Sequence, residues 1–299
     1  MQRQSATAPT LGAWLIFLSL GLTWGCSYFL IKRGLVGYPP VQVACIRVAV
    51  AGLAFLPIAL RRARSLDRRT LGYLMVVGFV GTGFPALLFS IAQTEVDSSI
   101  AGIINSMTPL FTLLLGVLFF GQAFSRIKTA GILVGLSGVV LLILLGQRGG
   151  VSGNLWYGLL IVLATVGYAI STNTIKSHLH SVGPLTISAV SIGAAGVVAA
   201  LWLLLGTDFV PRITANTDNL ALPAFGYIVL LALVSTVLAS VYYFKLIQMT
   251  SAVFASTLGY LIPVVALFIG YLDDEVITRY HFLSMLLILV GVWLAGRGR

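Results

Sequence analysis

The chain has 299 residues, of which 59% are hydrophobic and 9% are charged, against about 25% charged residues in an ordinary soluble domain. Its mean hydropathy of +1.03 excludes a disordered chain and a water-soluble globule, because so much apolar surface cannot stay hydrated. One membrane span takes about 20 apolar residues. The composition therefore predicts a lipid-embedded protein with about ten spans and no catalytic domain outside the bilayer.

The charge and cysteine patterns exclude several other classes. The net charge of +10 does not indicate a nucleic-acid-binding protein, since the basic residues lie mostly in short loops beside apolar runs. Cys26 and Cys45 both lie inside apolar runs, so they form neither a disulfide framework nor a metal-ligand spacing. The sequence predicts no cofactor and no metal.

Ten apolar runs, separated by Gly, Pro or charged residues, predict ten transmembrane helices. The runs are too long and too uniformly apolar to be the alternating strands of a barrel, so we expect an all-α integral membrane protein. The predicted spans are 11–31, 39–60, 70–93, 99–120, 126–146, 155–176, 184–205, 223–247, 252–272 and 279–296.

The distribution of Lys and Arg predicts the orientation of the bundle. Twelve of the 18 basic residues flank one side, five flank the other, and Arg47 lies within span two. By the positive-inside rule, both termini are predicted to be cytoplasmic, in a multi-pass protein of the cytoplasmic membrane. Lys32, Arg33 and Glu275 then fall on the predicted outer side. The first run is long and lacks a persuasive cleavage site, so it is predicted to be a span rather than a removed signal peptide.

The two halves of the sequence resemble each other. Each of three displacements aligns residues without a gap, and together they predict five-helix repeats at 11–146 and 155–296. Because five is odd, the second repeat enters the membrane from the opposite side, which gives an inverted-topology repeat. The aligned pairs include Trp24 with Tyr168, Lys32 with Lys176 and Gly52 with Gly196 at 144 positions, Gly138 with Gly291 at 153, and Thr82 with Thr236 and Pro109 with Pro263 at 154.

The end of each repeat resembles a known family. The segment 109–122, followed by Ser125, Arg126, Gly131 and Gly138, is similar to the end of an EamA domain of the drug/metabolite transporter superfamily, and 263–275 is its partner in the second half. The resemblance implies two EamA domains in tandem and an exporter of small metabolites, most similar to the exporters of amino acids, including aromatic ones. Gln122 replaces the glutamate that is usual at this point, whereas Glu275 retains it.

A transporter of this type is expected to bind its substrate near mid-bilayer, between the repeats. Spans one, three, four, six, eight and nine are predicted to line the cavity. Aromatic and uncharged polar side chains there would suit an amphipathic organic solute, with rings against apolar groups and hydroxyls or amides against a carboxylate and an amine. The predicted substrate-binding residues are Trp24, Tyr28, Thr82, Phe84, Asn105, Tyr168, Ser171, Thr257 and Tyr260.

Prolines and one arginine mark further candidate positions. Pro85, Pro109 and Pro263 are predicted gating hinges, because proline removes a helical hydrogen bond and kinks the helix. Pro85 aligns with Ala239 in the second half, so a hinge there would be asymmetric. Arg47 is costly inside the bilayer and must face protein or water. Its role is either structural, capping carbonyls or pairing with an acidic residue, or the attraction of a substrate carboxylate.

The sequence thus predicts an exporter of small organic metabolites that works by alternating access around a central cavity. A multidrug or lipophilic-cation exporter is the alternative within the superfamily. An ion channel would need a ring of charges, and an intramembrane enzyme would need a catalytic motif at bilayer depth; neither is present in the sequence. No carboxylate is predicted at mid-membrane, which favours facilitative over proton-coupled transport. Glycine pairs such as Gly131 and Gly135 pack either internally or in a dimer, so a monomer and a homodimer both remain open.

Overall fold

The computed structural model describes residues 10–120, 126–145, 155–215, 220–249 and 258–297. Within these ranges the chain is all-α. Two π-helical segments, π1 (Phe79–Gly83) and π2 (Leu231–Leu238), interrupt longer helical runs. The α-helices are α1 (Leu11–Leu35), α2 (Pro40–Ala63), α3 (Arg68–Gly78), α4 (Phe84–Ala92), α5 (Ser98–Asn105), α6 (Thr108–Phe119), α7 (Arg126–Leu145), α8 (Leu155–His178), α9 (Pro184–Leu205), α10 (Phe209–Ala215), α11 (Ala221–Leu230), α12 (Ala239–Met249), α13 (Leu258–Leu272) and α14 (Arg279–Arg297).

Seven helical runs in the described part of the chain are long and apolar enough to cross a membrane. Three shorter apolar helices, at Thr129–Leu142, Leu258–Leu272 and Arg279–Leu294, coincide with the remaining predicted spans. The positions of the predicted spans therefore agree with helices, and the count of ten membrane crossings stays a prediction.

Local capping determines where several helices begin. The Thr10 hydroxyl accepts a hydrogen bond from the Ala13 amide at 3.3 Å, which caps α1. The Asp67 carboxylate accepts from the amides of Arg69 and Thr70 at the start of α3. Proline occupies the first turn of α2 and of α9, where no amide donor is needed. These signals place the short loops between the apolar runs.

Large apolar side chains cover much of the outer surface. Leu205 is 82% exposed, Leu222 is 79% exposed and Trp156 is 77% exposed. Burial of such side chains is worth about 2 kcal/mol each, so a surface of this composition is stable only when lipid covers it. The core of the bundle is apolar as well, and Phe89 and Ile104 are among its fully buried residues.

Helices at aligned positions of the two halves pack directly on each other. A Cβ on Gly52 of α2 would lie 2.5 Å from the Cα of Gly196 on α9. A Cβ on Gly291 of α14 would lie 2.5 Å from the amide nitrogen of Gly135 on α7. Only glycine allows backbones to approach so closely. The Gly131 and Gly135 pair therefore packs inside the chain, against α14.

Span four is broken, whereas the sequence predicted one helix with a kink at Pro109. Helix α5 ends at Asn105 and α6 begins at Thr108, so Pro109 lies in the first turn of a new helix. The amides of Ser106 and Met107 donate to carbonyls three residues earlier. Proline has no amide hydrogen and its ring clashes with the carbonyl four residues earlier, which kinks or breaks a helix, and here the helix is broken. The Thr108 hydroxyl donates to the freed Asn105 carbonyl at 2.8 Å.

The other predicted hinges lie in different settings. Pro263 lies inside the continuous helix α13, and Pro85 lies in the first turn of α4, directly after π1. The second half also has a π segment at the aligned position, although Ala239 takes the place of Pro85 there. Irregular helical geometry is therefore present in both halves, in spans three and eight, whereas only the first half has a proline after it. An asymmetric hinge at Pro85 stays a prediction.

Candidate functional site

Helix α1 carries two aromatic side chains one turn apart, of which Trp24 contacts the second half of the chain and Tyr28 contacts the first. The indole Nε1 of Trp24 donates to the backbone carbonyl of Ser235 in π2 at 3.0 Å. The Trp24 ring lies 5.2 Å from the ring of Tyr243 on α12, and the Tyr28 ring lies 5.7 Å from that of Phe89 on α4. Because π-helical hydrogen bonds run to the fifth residue rather than the fourth, such a segment can leave a carbonyl without its helical partner. π2 thereby holds the Trp24 ring in place.

Arg47 extends from α2 into the same region. Its Nε donates to the Thr236 hydroxyl of π2 at 3.2 Å, and its charge acts on the hydroxyls of Tyr28 and Tyr168. Among the described residues, the ion pairs within 4.0 Å involve Lys32 and Arg33 and not Arg47. The described hydrogen-bond partner of this guanidinium is therefore the Thr236 hydroxyl, and the choice between a structural role of Arg47 and attraction of a carboxylate stays a prediction.

Helix α8 supplies the aromatic wall on the opposite side. The Tyr168 ring stacks on Phe89 at 6.2 Å between centroids, with an interplanar angle of 26°. One turn further, Ser171 contacts π1 closely, since a Cβ on Gly81 would lie 2.4 Å from the Ser171 Oγ. A Cβ on Gly167 would lie 2.5 Å from the Val80 carbonyl. Glycine on both elements allows α8 and π1 to meet.

The two aromatic pairs occupy aligned positions in the two halves. A displacement of 144 positions takes Trp24 to Tyr168, and a displacement of 154 takes Phe89 to Tyr243. Trp24 packs on Tyr243, and Tyr168 packs on Phe89. The first helix of each half thus contacts the aromatic residue that follows the π segment of the other half.

The break in span four lies beside these rings. The Asn105 side chain interacts with the Tyr28 hydroxyl, and its Oδ1 lies 3.4 Å from the Thr108 hydroxyl. The Pro109 ring packs against α13, where a Cβ on Gly259 would lie 3.3 Å from the proline Cγ. Spans four and nine therefore meet where one is broken and the other carries Pro263 one turn further along.

An apolar cleft of about 500 Å³ lies behind this region, between α1, the α11–π2 run and α13. Arg33 and Asp273 line one end of the cleft, and Thr23 and Ser235 line the other. Ser235, which lines the cleft, also accepts the hydrogen bond from Trp24.

Five of the nine predicted substrate-binding residues take part in this arrangement, namely Trp24, Tyr28, Asn105, Tyr168 and, through π1, Ser171. The other four have separate outcomes. Thr82 is half-buried within π1, Tyr260 is partly buried against the main core, and Phe84 is 47% exposed. Thr257 lies outside the described residues.

Three side chains outside the nine predicted substrate-binding residues complete the cluster. Thr236 binds Arg47, while Phe89 and Tyr243 each pack on a predicted aromatic residue. Thr236 is the aligned partner of Thr82 and Tyr243 is that of Phe89. The internal repeat was therefore the signal that could have identified Thr236 from Thr82. It could also have identified Tyr243 once Phe89 was known, or Phe89 from Tyr243.

Two segments of the chain, residues 10–144 and 155–297, match the EamA-like transporter family. The chain belongs to this family. It is therefore a membrane transporter of the drug/metabolite transporter superfamily. This agrees with the resemblance at the ends of the two repeats.

The similarity to known relatives extends over almost the whole chain. The chain is 29% identical to the inner membrane transporter YedA of Escherichia coli (strain K12), over 97% of this chain and 92% of YedA. It is 25% identical to the "Probable amino-acid metabolite efflux pump" of the same strain, over 94% of this chain and 93% of that protein. A crystal structure with 19% identity has a TM-score of 0.63 and covers 95% of this chain and 96% of its own, which shows that the fold is shared.

Proposed function

We propose that this protein exports small amphipathic metabolites that carry a carboxylate. Its main substrates would be amino acids, including aromatic ones. The substrate would bind in the cluster of Trp24, Tyr28, Arg47, Asn105 and Tyr168. The observation that carries the proposal is Arg47, a cationic group within a span that hydroxyl and aromatic groups surround and to which no described carboxylate is ion-paired.

The chemistry of Arg47 favours a carboxylate ligand. A guanidinium has five N–H donors in a planar fork, and the structure pairs its Nε with Thr236. The terminal nitrogens match the two oxygens of a carboxylate, in the bidentate geometry that gives the strongest hydrogen bonds. A charge inside a span costs about 2.5 to 3.5 kcal/mol on insertion scales. A bound anion would offset that cost.

The rings around Arg47 favour an organic substrate over an inorganic anion. Trp24, Tyr28 and Tyr168 offer apolar ring surfaces, while Asn105 and the tyrosine hydroxyls offer hydrogen bonds to an amine. An anion without apolar surface would leave the rings without a partner. The combination suits an amino acid, with the carboxylate at Arg47 and the side chain against the rings.

Alternating access of two inverted repeats is the mechanism that we propose for movement of the substrate. The aligned aromatic pairs, the aligned π segments and the packing of Gly52 on Gly196 support a two-fold relation between the halves. The cluster lies where the halves meet, so a tilt of one half against the other would open it to one side at a time.

A relative supports the substrate class by name. The Escherichia coli relative that is 25% identical to this chain is named "Probable amino-acid metabolite efflux pump". A multidrug exporter for lipophilic cations is the rival function, but the cationic Arg47 at the cluster would repel such substrates.

The proposal is tested by competition in proteoliposomes. Vesicles with purified protein are loaded with unlabelled phenylalanine, and counterflow of labelled phenylalanine is measured with phenylalanine or phenylalaninamide as the competitor. The amide lacks only the carboxylate. We expect the acid to compete at least tenfold better, and we expect the variant Arg47→Gln to lose counterflow while the exposed-site control Arg61→Gln keeps it.

Three outcomes count against this function. Equal competition by acid and amide would show that the carboxylate is not recognised. Stronger competition by a lipophilic cation than by any amino acid would favour the multidrug function. Unchanged counterflow in Arg47→Gln would place the carboxylate site elsewhere.

A further inference from the structure

One end of the bundle holds a compact network of charged side chains from both halves of the chain. The Nζ of Lys32, in the last turn of α1, lies 2.5 Å from the Asp273 carboxylate and 2.9 Å from Glu275 Oε1. Arg33 pairs with the other oxygen of Asp273. We call this network the charged end. It consists of Lys32, Arg33, Asp273 and Glu275, together with Ser98 and Ser99.

Glu275 also binds the start of span four. Its Oε1 accepts from the amide of Ser98 at 3.0 Å and from its hydroxyl at 2.7 Å, and its Oε2 accepts from the amide of Ser99 at 3.0 Å. A carboxylate at a helix N-terminus satisfies free amides and interacts favourably with the helix dipole. Glu275 therefore caps α5 from another part of the chain, about 180 residues away.

The Glu275 side chain is only 2% exposed, so its bonds are protected from water. Burial alone would raise the pKa of the Glu275 carboxyl, but the hydrogen bonds from Ser98, Ser99 and Lys32 outweigh it and lower the pKa to about 2. The carboxylate therefore remains ionised at any physiological pH. A Cβ on Gly270 would lie 2.5 Å from Glu275 Oε2, which shows how closely the end of α13 encloses this group.

The network joins elements that alternating access must separate. α1 and α5 belong to the first half, while Asp273 and Glu275 follow α13 in the second half. Opening the chamber at this end would move the end of α13 away from both α1 and α5. The motion would break the ion pairs of Lys32 and remove the cap of α5 at the same time.

At the positions that the repeat assigns to the opposite end of the bundle, the sequence retains the lysine of this network and not the glutamate. The repeat aligns Lys32 with Lys176, which is exposed at the end of α8, and it aligns Glu275 with Gln122, which lies outside the described residues. Glutamine is neutral and cannot form an ion pair. The sequence thus keeps the cation at both ends and the carboxylate at one.

We infer that Lys32 and Glu275 form a latch that holds the charged end closed, and that the substrate-free transporter rests closed at that end because the opposite end lacks the matching carboxylate. This inference rests on the alternating access of the proposed function and not on its substrate class. A ligand or mutation shifts such an equilibrium only through its different effect on the two states. The latch stabilises only the state in which the charged end is closed.

The test uses thiol accessibility and needs no substrate. In a background with Cys26→Ala and Cys45→Ser, the reporter Tyr168→Cys lies at the candidate site on α8. Its rate of reaction with a membrane-impermeant thiol reagent is measured with the reagent on each face of sealed, oriented vesicles. A separate variant, Val36→Cys, identifies the face that bears the charged end, since Val36 is 54% exposed next to the latch.

Two variants remove the latch in different ways. Glu275→Gln removes both the ion pair with Lys32 and the charge at the α5 cap, whereas Lys32→Gln leaves the cap and the Arg33–Asp273 pair and removes only the ion pairs of Lys32. We expect each to raise the reporter's rate from the charged-end face about tenfold and to lower it from the opposite face, because a two-state equilibrium gains on one side what it loses on the other. Arg61→Gln, which removes the charge of an exposed side chain of α2, is the control and should leave both rates unchanged.

Two results would overturn the latch. Rates within twofold of the parent in both variants would show that the network does not bias the equilibrium. Equal increases from both faces would show that the substitutions only loosen the fold.

The asymmetry is tested by adding a group instead of removing one. Gln122→Glu supplies a carboxylate at the position that the repeat aligns with Glu275, and so at the predicted opposite end. We expect it to lower the reporter's rate from that face and to raise it from the charged-end face. No change in either rate would overturn the inference that the neutral Gln122 sets the resting state.

Discussion

The charged end and the mid-depth cluster treat positive charge in opposite ways. At the charged end, Lys32 and Arg33 are paired with Asp273 and Glu275. At mid-depth, the Arg47 guanidinium has a hydroxyl of Thr236 and the neighbouring tyrosines. A charge with a carboxylate partner in the protein is satisfied, and one without such a partner has capacity for a ligand.

The charged end and the cluster around Arg47 therefore have different roles. Breaking a buried ion pair by removing one partner leaves an uncompensated charge, so the charged end resists change and serves to join the halves. The cluster around Arg47 consists of rings, hydroxyls and closely packed glycines, which can remain in place while a small anion enters and leaves. The following predictions test this division, beginning with the largest expected effect.

The largest expected effect is on packing at mid-depth. Gly81→Ala would place a Cβ 2.4 Å from both Cβ and Oγ of Ser171, and overpacking of this kind costs about 1 to 3 kcal/mol. Gly72→Ala on α3 is the matched control, because no atom lies within 4 Å of its Cβ. We expect a lower Tm for Gly81→Ala only, measured by thermal unfolding in detergent. Equal Tm values would show that π1 does not need its close contact with α8.

A smaller effect is expected at the hydroxyl that holds Arg47. Thr236→Val removes the acceptor of the Arg47 Nε bond, which is worth about 1 kcal/mol, so counterflow should fall about fivefold. Thr82→Val changes the aligned residue of the first half, for which no contact with Arg47 is found among the described residues, and should have little effect. If both variants lose the same activity, the division of roles between Thr82 and Thr236 is wrong.

The smallest expected effect is the pH dependence of the latch. The pKa of Glu275 is lowered from 4.5 to about 2, so its stabilisation is fully present above pH 4.5 and is lost as the pH falls through about 2. To isolate this carboxyl, the nearby buried His281 is replaced by Asn in both proteins compared. The Tm difference between Glu275 and Glu275→Gln proteins should stay constant from pH 8 to pH 5. A difference that shrinks in this range would mean that the carboxylate is not held ionised.

The sequence predicted the helical class, the positions of the spans and much of the cluster, because apolar run length and internal alignment are properties of the sequence itself. Trp24, Tyr28, Asn105 and Tyr168 followed from their depth in the spans. Depth alone does not specify which way a side chain faces, and Phe84 is 47% exposed although it lies as deep as the others.

The contacts between distant segments could not be predicted in the same way. Glu275 was notable only as a retained family residue, and its bonds to Lys32 and Ser98 depend on how α13 meets α1 and α5. The break before Pro109 was expected as a kink, since proline chemistry predicts a disturbance and the packing of the neighbours decides its form. The π segments had no sequence signal that we recognised.

The π2 segment ties three contacts to a single backbone geometry. It offers the Ser235 carbonyl to Trp24 and the Thr236 hydroxyl to Arg47, and α12 continues from it with Tyr243. One residue corresponds to about 100° of rotation in an α-helix. Rewinding π2 by one residue would therefore swing Tyr243 off the indole and withdraw both oxygen atoms in the same movement, so the loss of any one contact would entail the loss of the others.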